Sequence, residues 1–183
     1  MTRDEAVALL KRHVPAPNLQ NHCLAVGWIM RALAECLGLD AEDVGRWEVA
    51  GILHDLDYAT TAEDFEAHGR VTVEMLGDRI DDEQARAILA HAEKAPRDTL
   101  MDRALYAADP VTGFIVAAAL VRPDRSLAAV EVGSLKKRWK EKAFARGASR
   151  EQMAACAELG IERDEFLALS LAAMQEHAAE LGL

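Results

Sequence analysis

The sequence predicts an all-α protein whose helices form a single-domain bundle. Alanine and leucine dominate the apolar residues, and aromatic residues make up only 5% of the chain, which favours helix packing over a sheet. Helix-start signals recur along the chain, with little between them that has the alternating pattern of a strand. With 183 residues, 51% of them hydrophobic, the chain has the size of one domain with its own core.

Residues that cap helix N-termini precede the apolar stretches one after another. A small polar side chain in this position accepts hydrogen bonds from backbone N–H groups that the helix leaves free. The expected N-caps, in chain order, are Thr2, Asn18, Asp40, Asp81, Asp98 and Ser149. Pro15 and Pro17 end the first helix, Gly38 follows the second, a loop is expected around 59–61, and a further helix is expected over 67–76.

Pro110 lies inside the apolar stretch that follows Asp98. Proline removes one backbone hydrogen bond and disfavours helical geometry in the residue before it, so we expect a kink or a break there. An ordinary joint between two helices is the alternative.

The chain divides into a helical core over 1–121 and a C-terminal helical extension over 122–183. In the extension, Phe166, Leu169 and Ala173 share one face of the last helix, which predicts that it packs on the same core. No internal repeat or flexible linker separates the two segments.

The charge and the cysteines exclude several classes of protein. The 31 acidic and 21 basic residues give a net charge of -10, which argues against nucleic acid or an anionic membrane as partner. The N-terminus lacks a signal-peptide pattern and no apolar run reaches the ~18 residues of a membrane span, so we expect a cytoplasmic protein. Cys23, Cys36 and Cys156 lack the spacing of a disulfide framework or a zinc cluster. Nothing in the pattern indicates an oligomeric state.

The pair His54-Asp55, at the end of the apolar run 50–53, is the strongest indication of a functional site. An imidazole and a carboxylate are costly to bury there unless a divalent cation compensates them. Further candidates lie on both sides of the pair: His22, His68, His91 and Asp109. Four histidines and two aspartates are enough to hold two metal ions.

Simpler interpretations remain open for some of these residues. His68 follows a polar stretch and could be a surface histidine. His91 could be a buried histidine bonded to a carbonyl group. Asp57 could accept a hydrogen bond from a ligand imidazole, or it could be an exposed carboxylate after the helix end. His13 and His177 are expected on solvent-facing helix surfaces.

The ordered set of histidines and aspartates resembles the HD superfamily of metal-dependent phosphohydrolases. The resemblance implies the helical bundle of an HD domain, with one metal held by His22, His54, Asp55 and Asp109. It also implies that His68 and His91 help to hold a second metal. Beyond the motif, 102–109 and 120–124 resemble a group of short bacterial proteins described only as predicted HD-superfamily hydrolases. The resemblance implies divalent metal ions as cofactors but does not distinguish among Fe, Mn, Mg, Zn, Co and Ni.

Such a centre predicts hydrolysis of a phosphate ester or anhydride. Two divalent cations less two carboxylates leave two positive charges, which favour an anionic ligand such as phosphate. Coordination lowers the pKa of water from ~15.7 towards about 7 and so creates a nucleophile. His54 and Asp55 are the expected catalytic residues, and the expected partner is a small phosphorylated, nucleotide-like molecule. P-loop and serine-hydrolase patterns do not occur.

Four basic residues are candidates for binding the substrate phosphate. They are Lys94, Arg122, Lys136 and Lys137, the last two in the basic segment 136–142. The alternative for that segment is a solvated helix face that balances acidic neighbours.

Two other functions share the same ligands. A histidine-rich site also suits iron, and a branch of the HD superfamily is similar in its ligands yet uses a mixed-valent di-iron centre to oxidise substrates with dioxygen. A metal-stabilised binding module without turnover is the third possibility, and it is favoured if side chains fill the pocket.

Overall fold

A computed structural model describes the whole chain, Met1–Leu183, and contains helices but no strand. The α-helices are α1 (Arg3–His13), α2 (Pro17–Cys36), α3 (Ala41–Leu53), α4 (Tyr58–Thr61), α5 (Arg70–Leu76), α6 (Asp82–His91), α7 (Leu100–Leu120), α8 (Val132–Trp139), α9 (Arg150–Ala154), α10 (Arg163–Glu176) and α11 (Ala178–Leu181). Gly77–Arg79 and Ala155–Leu159 form 3₁₀ helices. The predicted all-α class is confirmed.

Most of the expected N-caps form the predicted hydrogen bonds. The side chains that accept from a backbone N–H in the following first turn are those of Thr2, Asp40, Asp81 and Ser149. Two start positions are wrong, the first by two residues and the second by one. The second helix begins at Pro17, because proline suits the first helical position, and Asn18 lies inside it. Helix α7 is capped by Thr99, which forms a capping box with Asp102, and not by Asp98.

Three local predictions about irregular segments need correction. Pro110 lies inside α7, and the helix continues through it from Leu100 to Leu120, so a break is wrong. The neighbouring Val111 and Phe114 are fully buried, and their packing holds this segment helical despite the missing N–H. The expected loop at 59–61 belongs to the short helix α4, and α5 begins only at Arg70.

Helices α2 and α3 pack unusually closely at Gly27 and Gly51. A Cβ atom on Gly51 would lie 2.8 Å from the Cα atom of Gly27, a separation that real side chains do not show. The two backbones can therefore approach only because both residues lack a side chain. This contact brings His22, on α2, near His54, which directly follows α3.

The C-terminal helices pack on the same core as the rest of the chain. Helix α10 packs against α2, and α9 with the following 3₁₀ helix packs against α7. The buried apolar cluster runs without interruption from α1 to α11.

Helix α7 lies in the centre of this arrangement. It is long and apolar enough to cross a membrane by length and composition alone, but 67% of its apolar window is buried inside the protein. Such burial is typical of the core helix of a folded domain.

Candidate metal centre

All six side chains that the sequence singles out converge on one point of the fold. His22 lies in the second turn of α2, His54 and Asp55 directly follow α3, His68 lies before α5, His91 ends α6, and Asp109 lies in the middle of α7. The shortest separations between their nitrogen and oxygen atoms are similar to those expected between ligands of a common ion.

The first group of candidate ligand atoms, here called site A, consists of His22 Nε2, His54 Nε2, Asp109 Oδ1 and Asp55 Oδ2. Nε2 of His22 lies 3.3 Å from Nε2 of His54 and 3.2 Å from Oδ1 of Asp109. Oδ2 of Asp55 lies 3.7 Å from the His22 nitrogen and 3.6 Å from the His54 nitrogen. The ligand atoms of His22, His54 and Asp109 all lie within 4.8 Å of one another.

The second group, here called site B, consists of His68 Nε2, His91 Nε2 and Asp55 Oδ1. The two nitrogens lie 3.4 Å and 3.5 Å from that oxygen, respectively. His91 also forms a set within 4.8 Å with His54 and Asp55. Asp55 thus turns one carboxylate oxygen to each site, in a position to bridge two ions.

The other ring nitrogen of each histidine is held by an oxygen atom. The partners of Nδ1 are Thr112 Oγ1 for His22 (2.8 Å), Gly51 O for His54 (2.7 Å), Asp57 Oδ1 for His68 (2.9 Å) and Ile88 O for His91. A carbonyl or carboxylate oxygen can only accept, so Nδ1 carries the proton and Nε2 presents a lone pair to the cluster. The Thr112 hydroxyl donates to the carbonyl of Asp109 at 2.9 Å, so it too accepts from His22.

Asp57 orients His68 from a fully buried position. Its Oδ2 accepts from the backbone N–H groups of Gly69 at 2.8 Å and Thr72 at 3.0 Å, while Oδ1 accepts from His68. The expected role as acceptor for a ligand imidazole is therefore observed, and the alternative of an exposed carboxylate is wrong. His68 itself is buried and not a surface histidine. His91 bonds to a carbonyl and also faces the cluster, so its two interpretations do not exclude each other.

Charge and burial oppose each other throughout the cluster. Burial disfavours the charged form of His54 and lowers its pKa from 6.5 to about 4. Burial acts in the same direction on His22 and His91, but the nearby negative charges of Asp109 and Asp55, respectively, outweigh it and raise the pKa. Burial acts against both carboxylates, yet the surrounding histidines hold the pKa of Asp55 well below its usual range and lower that of Asp109. One buried carboxylate, that of Asp55, and one partly buried carboxylate, that of Asp109, therefore need positive charge nearby.

The donor set fits divalent cations. Nε2 of His91 is buried without a hydrogen-bond partner, because its contact to Asp55 is too long for a good bond. Such an unpaired buried atom is costly unless it binds something. Ligands about 2.0–2.2 Å from one metal lie about 3–3.6 Å apart, which matches most of the separations in site A. Imidazole nitrogens and carboxylate oxygens are ligands that Zn, Mn, Fe, Co and Ni accept.

A cavity of about 620 Å³ opens onto the cluster. Five of the six cluster residues line it, and only His54 lies behind its wall. The rest of the wall includes Asn18, Tyr58, Thr61, Phe65, Glu93 and Gln152, none of which was a sequence candidate. Tyr58 and Phe65 are 45% and 56% exposed. Two aromatic residues between Asp55 and His68 in the sequence were the available signal.

The four predicted phosphate-binding residues do not line this cavity. Each is placed elsewhere: Lys94 pairs with Glu66 at 3.3 Å, Arg122 with Asp124 at 2.9 Å and Lys136 with Asp164 at 2.7 Å, while Lys137 is exposed on α8. The basic segment 136–142 lies on the C-terminal helices, where its charges meet acidic neighbours. The structure thus favours the solvated-face alternative for that segment.

Comparison with known proteins adds the family. The HD domain matches residues 19–113, more than half of the chain, and this range contains all six residues of the cluster. No curated protein and no solved structure gives a significant match. The matched range runs from the start of α2 to the middle of α7, the helices that carry sites A and B. The chain belongs to the HD domain family.

Proposed function

We propose that this protein is a metal-dependent phosphohydrolase that cleaves a phosphate ester or anhydride of a small molecule. Membership of the HD domain family supports metal-dependent hydrolysis in general. The observation that carries the proposal is the position of Asp55, whose two carboxylate oxygens face separate groups of imidazole nitrogens beneath an open cavity.

In this proposal, sites A and B each hold one divalent cation and Asp55 belongs to both. Divalent cations supply a water of lowered pKa and positive charge that stabilises the attacking and leaving oxygens of a phosphoryl group. Three side chains of site A come from α2, from the end of α3 and from α7, so the packing of those helices presets their separation.

The expected catalytic residues His54 and Asp55 act as ligands in this scheme. The pKa of His54, lowered to about 4 by burial, leaves its imidazole neutral near pH 7, with its lone pair free for a metal. The pKa of Asp55 lies well below its usual range because of the surrounding histidines, although burial opposes this, so Asp55 is a poor proton acceptor. Both residues therefore hold positive charge in place, and neither serves as a general base.

The cavity bears on the alternatives. A pocket filled by side chains would favour a binding module without turnover. The space beside the cluster is instead about 620 Å³, the size of a small-molecule site, which argues against that alternative. The oxygenase alternative uses the same ligands, and the experiment below separates it from hydrolysis.

The test combines metal analysis with a phosphatase screen over nucleotides and simple phosphomonoesters, run anaerobically. The wild-type protein should bind divalent metal and release phosphate, and His54→Ala should abolish both. His13→Ala, which removes a histidine of α1 outside the cluster, is the matched control and should retain both metal binding and phosphate release. Metal-bound protein that hydrolyses nothing with any tested metal would reject the proposal, and consumption of dioxygen in a parallel aerobic assay would identify the oxygenase.

A further inference from the structure

The charge of the centre limits the charge of the ligand that it can neutralise. Two divalent cations with Asp55 and Asp109 would carry a surplus of two positive charges before the activated water loses its proton. A phosphomonoester near pH 7 carries at most two negative charges, because its second pKa is about 6. One such group therefore brings the centre to neutrality, whereas each further phosphate would add charge that the cluster does not balance.

The cavity wall beyond the cluster offers no positive charge to such additional phosphates. Its polar side chains are the neutral Asn18, Tyr58, Thr61 and Gln152 and the acidic Glu93. A second or third phosphate would therefore face neutral groups and a carboxylate in a partly enclosed space, where like charges repel more strongly than in bulk water.

The cations close to this wall are held in other contacts. The ammonium group of Lys94 packs on the ring of Phe65, 4.3 Å from its centroid, and pairs with Glu66. The guanidinium of Arg97 lies 4.2 Å from the ring centroid of Tyr106 and pairs with Glu158.

Arg150 is engaged in a similar way on the C-terminal side. It donates hydrogen bonds to the carbonyl groups of Phe144, Ala145 and Ala148, at 2.7, 3.0 and 2.9 Å, and so holds the loop before α9.

Two exposed rings stand beside the cluster. Tyr58 and Phe65 line the cavity, with ring centroids 5.8 Å and 6.0 Å from that of His68. Exposed aromatic surface in a small-molecule cavity suits an uncharged, ring-bearing part of a ligand.

We propose that the site selects a phosphomonoester, with one doubly charged phosphoryl group joined to a neutral, ring-bearing alcohol, over the corresponding di- and triphosphates. This inference rests on the proposed function and narrows its substrate. Water cleaves the terminal P–O ester bond, inorganic phosphate leaves, and the alcohol takes up a proton. Asn18, Thr61 and Gln152 offer hydrogen bonds to the alcohol, and Tyr58 and Phe65 contact its ring.

The first test compares adenosine mono-, di- and triphosphate, which share one alcohol, on the metal-loaded protein with metal in excess of nucleotide. Products are separated by chromatography. The value of kcat/KM should be roughly tenfold or more higher for the monophosphate. Equilibrium binding of their non-hydrolysable phosphonate analogues, measured by calorimetry, should show the same order without any turnover.

A charge reversal in the wall tests the cause of the preference. Glu93→Lys should lower the ratio of monophosphate to diphosphate kcat/KM by about threefold or more, because a cation then faces the second phosphate. Glu151→Lys makes the same change of charge on the exposed side of α9, outside the cavity, and should leave the ratio unchanged. An unchanged ratio in Glu93→Lys would overturn the electrostatic argument.

The rings are tested with phenyl phosphate and glycerol phosphate. Phe65→Ala should lower kcat/KM for the first severalfold more than for the second. An equal effect on both would contradict the role assigned to the ring.

The outcomes of the series also separate the two proposals. Hydrolysis of the di- or triphosphate as fast as the monophosphate would overturn this inference and leave the proposed function standing. Hydrolysis of none of these compounds would overturn both.

Discussion

Sites A and B share Asp55 but are built in different ways. The other residues of site A, His22, His54 and Asp109, come from or directly follow the long helices α2, α3 and α7, which pack on one another in the core. In site B, His91 ends α6, but His68 lies in the segment between α4 and α5, which the buried carboxylate of Asp57 holds.

The difference teaches that the two sites depend on different kinds of interaction. Site A is positioned by helix packing, including the close contact of Gly27 with Gly51, so its geometry should persist as long as the core is folded. Site B depends on a few local hydrogen bonds, so it can be lost while the rest of the fold remains. We therefore expect some substitutions to empty one site and spare the other.

The largest effect should come from the residue that the two sites share. Asp55→Asn removes the charge of the carboxylate that faces both groups of imidazoles, and both sites should lose metal. We expect activity to fall by more than about a hundredfold, since loss of a mere outer partner of a ligand costs 10–100-fold. Elemental analysis and phosphate release measure the two effects. Retention of two metals in this variant would contradict the bridging position.

Substitutions at site B should halve the metal content. His68→Ala and His91→Ala each remove a ligand of site B alone, so stoichiometry should fall from two towards one while the helical circular dichroism signal stays. The matched substitution in site A, His22→Ala, should also lower the metal stoichiometry, because it removes the metal of site A. Unchanged stoichiometry in both site B variants would reject the second metal.

Smaller effects should follow from removing the partners of Nδ1. Asp57→Asn acts on His68 and Thr112→Val acts on His22, and each should weaken metal binding at its own site by about 10–100-fold. Asp57 also accepts from the N–H groups of Gly69 and Thr72, so its variant should have the larger effect. Competition with a fluorescent metal indicator measures both affinities. The reverse order would show that site B does not depend on this carboxylate.

The smallest effect should be a change in stability with pH, with opposite signs in the metal-free and the metal-loaded protein. The raised pKa values of His22 and His91 mean that the metal-free fold holds protons there. This stabilisation is complete below the ordinary value of 6.5 and is lost as the pH rises through the raised values. His54, with its pKa lowered to about 4, opposes it only below 6.5.

Metal binding reverses that sign, because a ligand imidazole must be neutral and the metal displaces its proton. The free energy of unfolding should therefore fall from about pH 6.5 to about pH 8 in chelator-treated protein and rise in metal-loaded protein. Urea denaturation at both pH values measures it. The same sign in both forms would contradict the assignment of His22 and His91 as ligands.

Local sequence signals located the helices well where a side chain caps its own helix. Asp40 and Asp81 mark the starts of α3 and α6 correctly, because an N-cap bond joins residues two or three apart. The error at Pro110 has the opposite origin. Proline disfavours a helix locally, but the burial of Val111 and Phe114 in the core outweighs that preference.

The cluster could be predicted because its residue types are rare in apolar helical stretches. The sequence indicated His54 and Asp55 because the pair ends an apolar run that was expected to be buried. The order of the other residues resembled a known family. The substrate-binding predictions lacked such a constraint. Lys94 and Lys136 were predicted mainly from their charge. In the fold they pair with the acidic neighbours Glu66 and Asp164, which the sequence pattern does not specify.

By itself, the sequence determined the helical class, the starts of four helices and the six residues of the cluster, since caps, apolar periodicity and polar residues in apolar stretches are local properties of the chain. Only the tertiary structure decided that Asp55 faces two groups of imidazoles, that Asp57 holds His68, and that the cavity wall carries aromatic rings and no cation. These features join residues from separate helices, and their distances depend on how the helices pack, which no local pattern specifies.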